Sequence, residues 1–158
     1  MPRIDDPILC DWGYHLCRQQ DLIVWLHDAI WEVELAPEAI VIEGSNKVVT
    51  SGPVRLVRRM HWDDRIARLY ACDCAERIVH LCGDDPLHRD AIAAARRYTE
   101  GRTTTAELAA ARDAVGTAVG DARTAAWNAA RTADGAAAGA AAREYIRDRL
   151  FEYLEGRA

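Results

Sequence analysis

Lysine is almost missing from this chain: Lys47 stands alone among 20 basic residues. No polybasic tract is therefore available. The basic groups are outnumbered by 25 acidic ones, for a formal net charge of −5. The charges are also evenly mixed, with 6 basic and 9 acidic groups in residues 1–60, 7 and 8 in 61–103, and 7 and 8 in 104–158. A duplex binder carries a basic patch or stripe; Arg55, Arg58 and Arg59 are too few to make one, so nucleic acid is not an expected partner.

Long apolar runs are absent as well. The most apolar stretch, Gly135 to Ala142, is Ala and Gly alone, and a membrane span needs about 20 apolar residues. No membrane partner is expected. The opening Met1-Pro2-Arg3-Ile4-Asp5-Asp6 lacks the basic region and apolar core of a secretory signal. The expected location is the cytoplasm, with the five cysteines as reduced thiols. Their odd number and irregular spacing do not outline a disulfide framework.

Several catalytic signatures are missing. There is no G-x-S-x-G nucleophile turn, no G-x-x-x-x-G-K-[ST] phosphate loop and no G-x-G-x-x-G fingerprint. Cys72, Cys74, His80, Cys82 and His88 lie close in sequence, but Cys72 and Cys74 project about 200° apart on a helix. They do not converge on a tetrahedral zinc ion. Cys10 and Cys17, seven residues apart, have no second pair. His61 beside Asp63 and Asp64 reads as acid favouring a helix start. No catalytic, cofactor or metal residue is assigned, and the chain is read as a non-enzyme.

Half of the residues are hydrophobic and 28% are charged, which suits a globular chain with its own core. Residues 1–158 are expected to form a single domain, with a Trp-rich N-terminal subregion over 1–60 and a helical region over 61–158. The fold expected is mainly α: a bundle of about five helices with a small β-hairpin near residues 39–57. A first helix is predicted over 20–34, because Leu22, Trp25, Leu26, Ala29, Ile30 and Val33 recur at threes and fours. The β-branched runs Ala39–Glu43 and Lys47–Thr50, around Gly44-Ser45-Asn46, predict the hairpin, and Val54–Val57 would extend it.

A second helix is predicted from Asp63 or Asp64 to about Cys82, with Gly83 as its C-cap. A third starts at Asp85-Pro86 and ends at Gly101. Thr104-Thr105-Ala106-Glu107 has the form of a capping box, opening a fourth helix to about Ala133. A fifth runs from about Ala136 to Leu154, anchored by Tyr145, Ile146, Leu150, Phe151 and Leu154. Gly116-x-x-x-Gly120 and Gly135-x-x-x-Gly139 would let the Ala-rich helices approach closely.

The charged residues of the second and third helices suggest a network of Asp73, Glu76, Arg77 and Arg96. Asp73 and Arg77 are spaced i, i+4 and are expected to pair, with a structural role. Trp12, Trp25 and Trp31 are the candidate interface anchors.

The run Asp73-Cys74-Ala75-Glu76-Arg77-Ile78-Val79, then Gly83-Asp84-Asp85-Pro86, then Arg89-Asp90-Ala91-Ile92-Ala93-Ala94-Ala95-Arg96, resembles a family assigned an immunity role in bacterial polymorphic toxin systems. Members read D-C-A-E-R-V-L-P, then an acidic turn, then A-I-E-A-A-R-x-W-x-x-G, and end in an Ala/Arg-rich tail. Ala109–Arg112, Ala129–Arg131 and Ala141–Arg143 look like that tail. His80-Leu81 stands where the family has proline, and Tyr98 where it has tryptophan. The resemblance covers roughly residues 61–145. It implies a non-enzymatic protein that binds and neutralises a cognate toxin. The alternative is a helical, self-associating assembly or regulatory protein of a phage or mobile element.

Overall fold

The computed structural model describes residues 6–79, 86–115 and 136–158. It divides into two compact units, Met1–Trp62 and Asp63–Ala158. The architecture is mixed α/β with two antiparallel sheets, which corrects the expectation of a mainly α bundle of about five helices.

The correction lies in the first unit. It holds β1 (Tyr14–Leu16), a 3-10 helix (Gln19–Trp25), β2 (Trp31–Leu35), β3 (Val41–Glu43), β4 (Val48–Thr50) and β5 (Val54–Arg59). No helix spans 20–34. The 3-10 helix buries none of its residues, so its apolar spacing has no core to serve. Beyond it, Trp31-Glu32-Val33-Glu34-Leu35 alternates with a period of two, and strand pairing prevails over the helical reading. β2 pairs with β5, setting Glu34 opposite Arg55 and Val33 opposite Leu56, with a bulge at Glu32/Val33. Val33, Leu35, Val54 and Leu56 thus share one face, and Glu32, Glu34, Arg55 and Arg58 the other. Arg55 bonds Glu34, and Arg58 Nε lies 3.1 Å from Glu32.

The expected hairpin forms from β3 and β4, with Val41 opposite Thr50 and Glu43 opposite Val48. β5 does not extend it, because the chain turns away at Gly52, whose φ is +71°. β1 closes the other side, giving the order β1-β4-β3. The central strand is buried throughout. The hairpin turn is tied to the residues before it: Arg18 bonds Asp21, Glu43 and the carbonyls of Gly44 and Ser45, and Trp25 Nε1 donates to Asn46 O at 2.7 Å.

The second unit is helical: α1 (Asp64–Ile78), α2 (Pro86–Thr99), α3 (Thr105–Val115) and α4 (Ala136–Leu154). Asp63 caps α1, its carboxylate accepting from Ile66 N at 2.8 Å. Pro86 takes the first position of α2, where a missing N–H costs nothing. Gly101, at φ +71°, follows the end of α2. The capping box forms as expected: Thr104 N–H donates to Glu107 Oε2 at 2.8 Å and Glu107 N–H to Thr104 Oγ1 at 3.3 Å. Hydrogen bonds from Thr103 and Thr104 lower the Glu107 carboxyl to about 2.

The core of this unit joins Ile66, Tyr70 and Cys74 of α1, Ala91 and Ile92 of α2, and Ile146, Leu150 and Leu154 of α4. Leu87, in the first turn of α2, is exposed. The predicted end of the second helix with Gly83, the cap at Asp85, the fourth helix beyond Val115, and the Gly116/Gly120 spacing lie outside the described residues. So do Ala129–Arg131 and Gly135. No helix among the described residues is long and apolar enough to cross a membrane.

Candidate functional site

The densest group of charged side chains centres on Asp73, 5% exposed in the middle of α1. An ionised carboxylate at that depth needs donors. Arg96 of α2 bonds Oδ1 through Nη2. Arg149 of α4 places Nε 2.5 Å from Oδ2, and the Tyr153 hydroxyl donates to the same oxygen at 2.9 Å. Outer carboxylates hold the two arginines in turn. Arg96 Nε lies 2.8 Å from Glu76 Oε1, and Arg149 Nη1 lies 2.5 Å from Glu152 Oε2.

The network therefore links three helices through one buried acid. Three of the four residues expected in it, Asp73, Glu76 and Arg96, come together. Arg77 takes a different place: its guanidinium lies over the Tyr145 ring, 5.4 Å from the centroid. The i, i+4 spacing allowed an Asp73–Arg77 pair, but both Asp73 oxygens are met from α2 and α4 instead. Arg149, Glu152 and Tyr153 were missed by sequence reasoning. Their signal was present: Arg149 and Tyr153, four apart, directly precede the apolar positions Leu150 and Leu154.

The electrostatics follow from this geometry. Burial alone would raise the Asp73 carboxyl, but Arg96, Arg149 and Tyr153 bond the charged form and hold it below the usual carboxylate range. Bonding to Glu76 and Asp73 keeps Arg96 firmly protonated. Burial, with the Asp73 bond, pushes the Tyr153 hydroxyl up to about 12. An acid this well satisfied is a weak base and carries no proton to donate near neutral pH. Its chemistry is that of a clamp.

The neighbouring thiols are equally quiet. Burial pushes Cys72 up to about 11 and Cys74 up to about 12, so neither supplies thiolate at neutral pH. They occupy different sides of α1. Cys72 Sγ faces Ile92 O of α2 at 4.0 Å, whereas Cys74 meets Tyr70 of its own helix. Among the described residues no group of three or more His, Cys, Asp and Glu side chains could hold a metal ion.

The candidate interface residues belong to the other unit. Trp12 is 59% exposed, Trp25 44% and Trp31 44%. Trp25 keeps an indole bond to Asn46 and lies under Lys47 Nζ, 5.4 Å from its ring centroid. Trp12 sits in a short loop closed by the Ile8–Trp12 bridge. Ile8, Val24, Ile40, Val41, Ile42, Leu56 and Val57 are also exposed in the same unit. No protein-family model, no curated protein and no solved structure matches the chain.

Proposed function

We propose that this protein is a non-enzymatic binding protein that engages another protein through the exposed apolar surface of its N-terminal unit. The observation that carries this reading is the placement of its large apolar side chains. Among the described residues, ten of the eleven large hydrophobics that stand exposed, three tryptophans among them, lie within Met1–Trp62. Exposed aromatic side chains are favourable anchors, because they offer large area with few rotatable bonds, and Trp25 is already partly fixed by its bond to Asn46.

Charge supports a basic partner. In this unit Arg18, Arg55 and Arg58 are spent on Asp21, Glu43, Glu34 and Glu32, while Asp11 and Glu38 remain exposed, against Arg59 as an exposed cation outside those pairs. The net charge of −5 would speed capture of a basic protein at low salt. A cognate toxin, bound and occluded in the cytoplasm, fits both the resemblance in Asp73–Arg96 and this charge.

The test is binding to the product of the adjacent gene, by calorimetry with the purified proteins. The expected result is a complex that weakens at least tenfold in Trp12→Ala or Trp31→Ala while the fold persists. Absence of any complex, together with no protection of cells that express the neighbouring product, would sink the reading.

A further inference from the structure

We propose that β3 is the pairing edge for a second copy of this chain, joined antiparallel across a two-fold axis at Ile42. β3 is an outer strand of the order β1-β4-β3. Its hydrogen-bond parity follows from its two flanks. Gly44 N–H donates to Lys47 O at 2.8 Å, and Ser51 N–H donates to Ile40 O at 3.0 Å. Ladder bonds alternate along an antiparallel strand. Ile42 therefore bonds inward to β4, and Val41 and Glu43 turn their N–H and C=O groups outward.

Outward groups on the first and third residues make this edge its own complement. With Ile42 opposite Ile42 of the second copy, each Val41 faces a Glu43, and four backbone hydrogen bonds close. Ile42 and its counterpart form the non-hydrogen-bonded pair, in which side chains approach most closely. Ile40 and Ile42, on one face, are 46% and 37% exposed, and Val41, on the other face with Glu43, is 44% exposed, so the face that carries Ile42 is apolar.

Charge permits the approach. The chain is acidic, and two bare carboxylates near the axis would repel. Glu43 is the only charged residue of β3, and Arg18 neutralises it within its own chain. Of the devices that blunt an edge, Val41-Ile42-Glu43 has no lysine, no proline and no bulge; its short length remains one. The β2–β5 ribbon differs, since two antiparallel copies of β5 would set arginines beside arginines. Three residues bury less than a permanent interface requires, so the dimer is expected to be weak and reversible.

Sedimentation and amide hydrogen exchange of the full chain, without any partner, decide the matter. The expected mass rises toward the dimer as concentration increases to about 1 mM, in keeping with a small interface. The Val41 and Glu43 amides should slow over the same range, and the Ile42 amide should not change. Val41→Pro deletes one outward donor per copy without touching the ladder to β4, and should weaken the dimer about tenfold or more. Ile42→Lys sets like charges opposite each other and should abolish it; this variant decides if Val41→Pro perturbs the fold. A monomer throughout would overturn the proposal. So would association that survives Ile42→Lys, or amides at Val41 and Glu43 that slow only when another protein is added. None of these results depends on the binding reading above.

Discussion

Arg149 Nε meets Asp73 Oδ2 at 2.5 Å across 76 residues of sequence. That contact, with Arg96 on the other oxygen, gives α1 a charged link to both α2 and α4. Asp73 has a side-chain exposure of 6%, but each arginine has 28% and a second carboxylate of its own. The acid is the member that depends on its partners, and the arginines reach water.

The consequence is an asymmetry between two neighbouring charges on α1. Asp73→Ala removes the shared acceptor of Arg96, Arg149 and Tyr153; the arginines keep water and their outer carboxylates, but the buried Tyr153 hydroxyl loses its acceptor, for an expected cost of about 1–3 kcal/mol. Arg77→Ala gives up an exposed contact with Tyr145 and should cost about 0.5–1 kcal/mol. Urea denaturation of both variants checks this. Equal losses would mean that Arg77 has a part in the clamp that its position over Tyr145 does not account for.

Acid should loosen the helical unit in a particular order. The Asp73 carboxyl is lowered in the fold, so its contribution is fully present above the ordinary carboxylate range. It is lost as pH falls through the lowered value. Glu107 behaves alike, from its ordinary 4.5 down to about 2. The stability gap between the native chain and Asp73→Asn should therefore be constant near neutrality and shrink on acidification. A gap that instead widens as pH falls would reverse the assigned sign. Carboxyl NMR titration should find Glu107 near 2, rising in Thr104→Ala.

Much of the helical unit was legible because local chemistry decides it. Asp63, Pro86, Gly101 and the Thr104/Glu107 box are start and stop signals that act within one turn. The partners of Asp73 were less legible. Spacing along one helix suggests Arg77, but burial calls for several donors, and those arrive from 23 and 76 residues away. The first sixty residues misled for another reason. Leu22 to Val33 satisfies a helical period, whereas Trp31 to Leu35 also alternates. The bonds between Glu34 and Arg55 and between Glu32 and Arg58 join segments that no local window holds together.

The thiols should separate by burial. Cys10 is exposed and Cys17 half-buried, with burial raising the Cys17 thiol, whereas Cys72 and Cys74 are buried and raised further. Iodoacetamide at neutral pH should label Cys10 first and Cys17 more slowly. Cys72 and Cys74 should react only after denaturation, as mass spectrometry of the peptides would record. Native labelling of Cys74 at the rate of Cys10 would contradict its complete burial in α1.

Gly13 and Gly101 both have positive φ, but only one is crowded. Gly13 sits at φ +129°, a region open in practice to glycine alone, and a Cβ there would lie 2.5 Å from Val49 Cγ2 and 3.1 Å from Pro7 Cβ. Val49 is wholly buried in the central strand of its sheet, so it has little room to yield. Gly101 is at φ +71°, and a Cβ there would meet nothing within 4 Å. Gly101→Ala should cost about 1–2 kcal/mol for backbone handedness alone. Gly13→Ala adds overpacking to backbone strain, for about 2–5 kcal/mol in total. Chemical denaturation of the two variants compares them directly. A Gly13→Ala protein as stable as Gly101→Ala would show that the loop before β1 can withdraw from Val49. The loop from Ile8 to Trp12 would then not be held against the sheet as the contacts at Gly13 require.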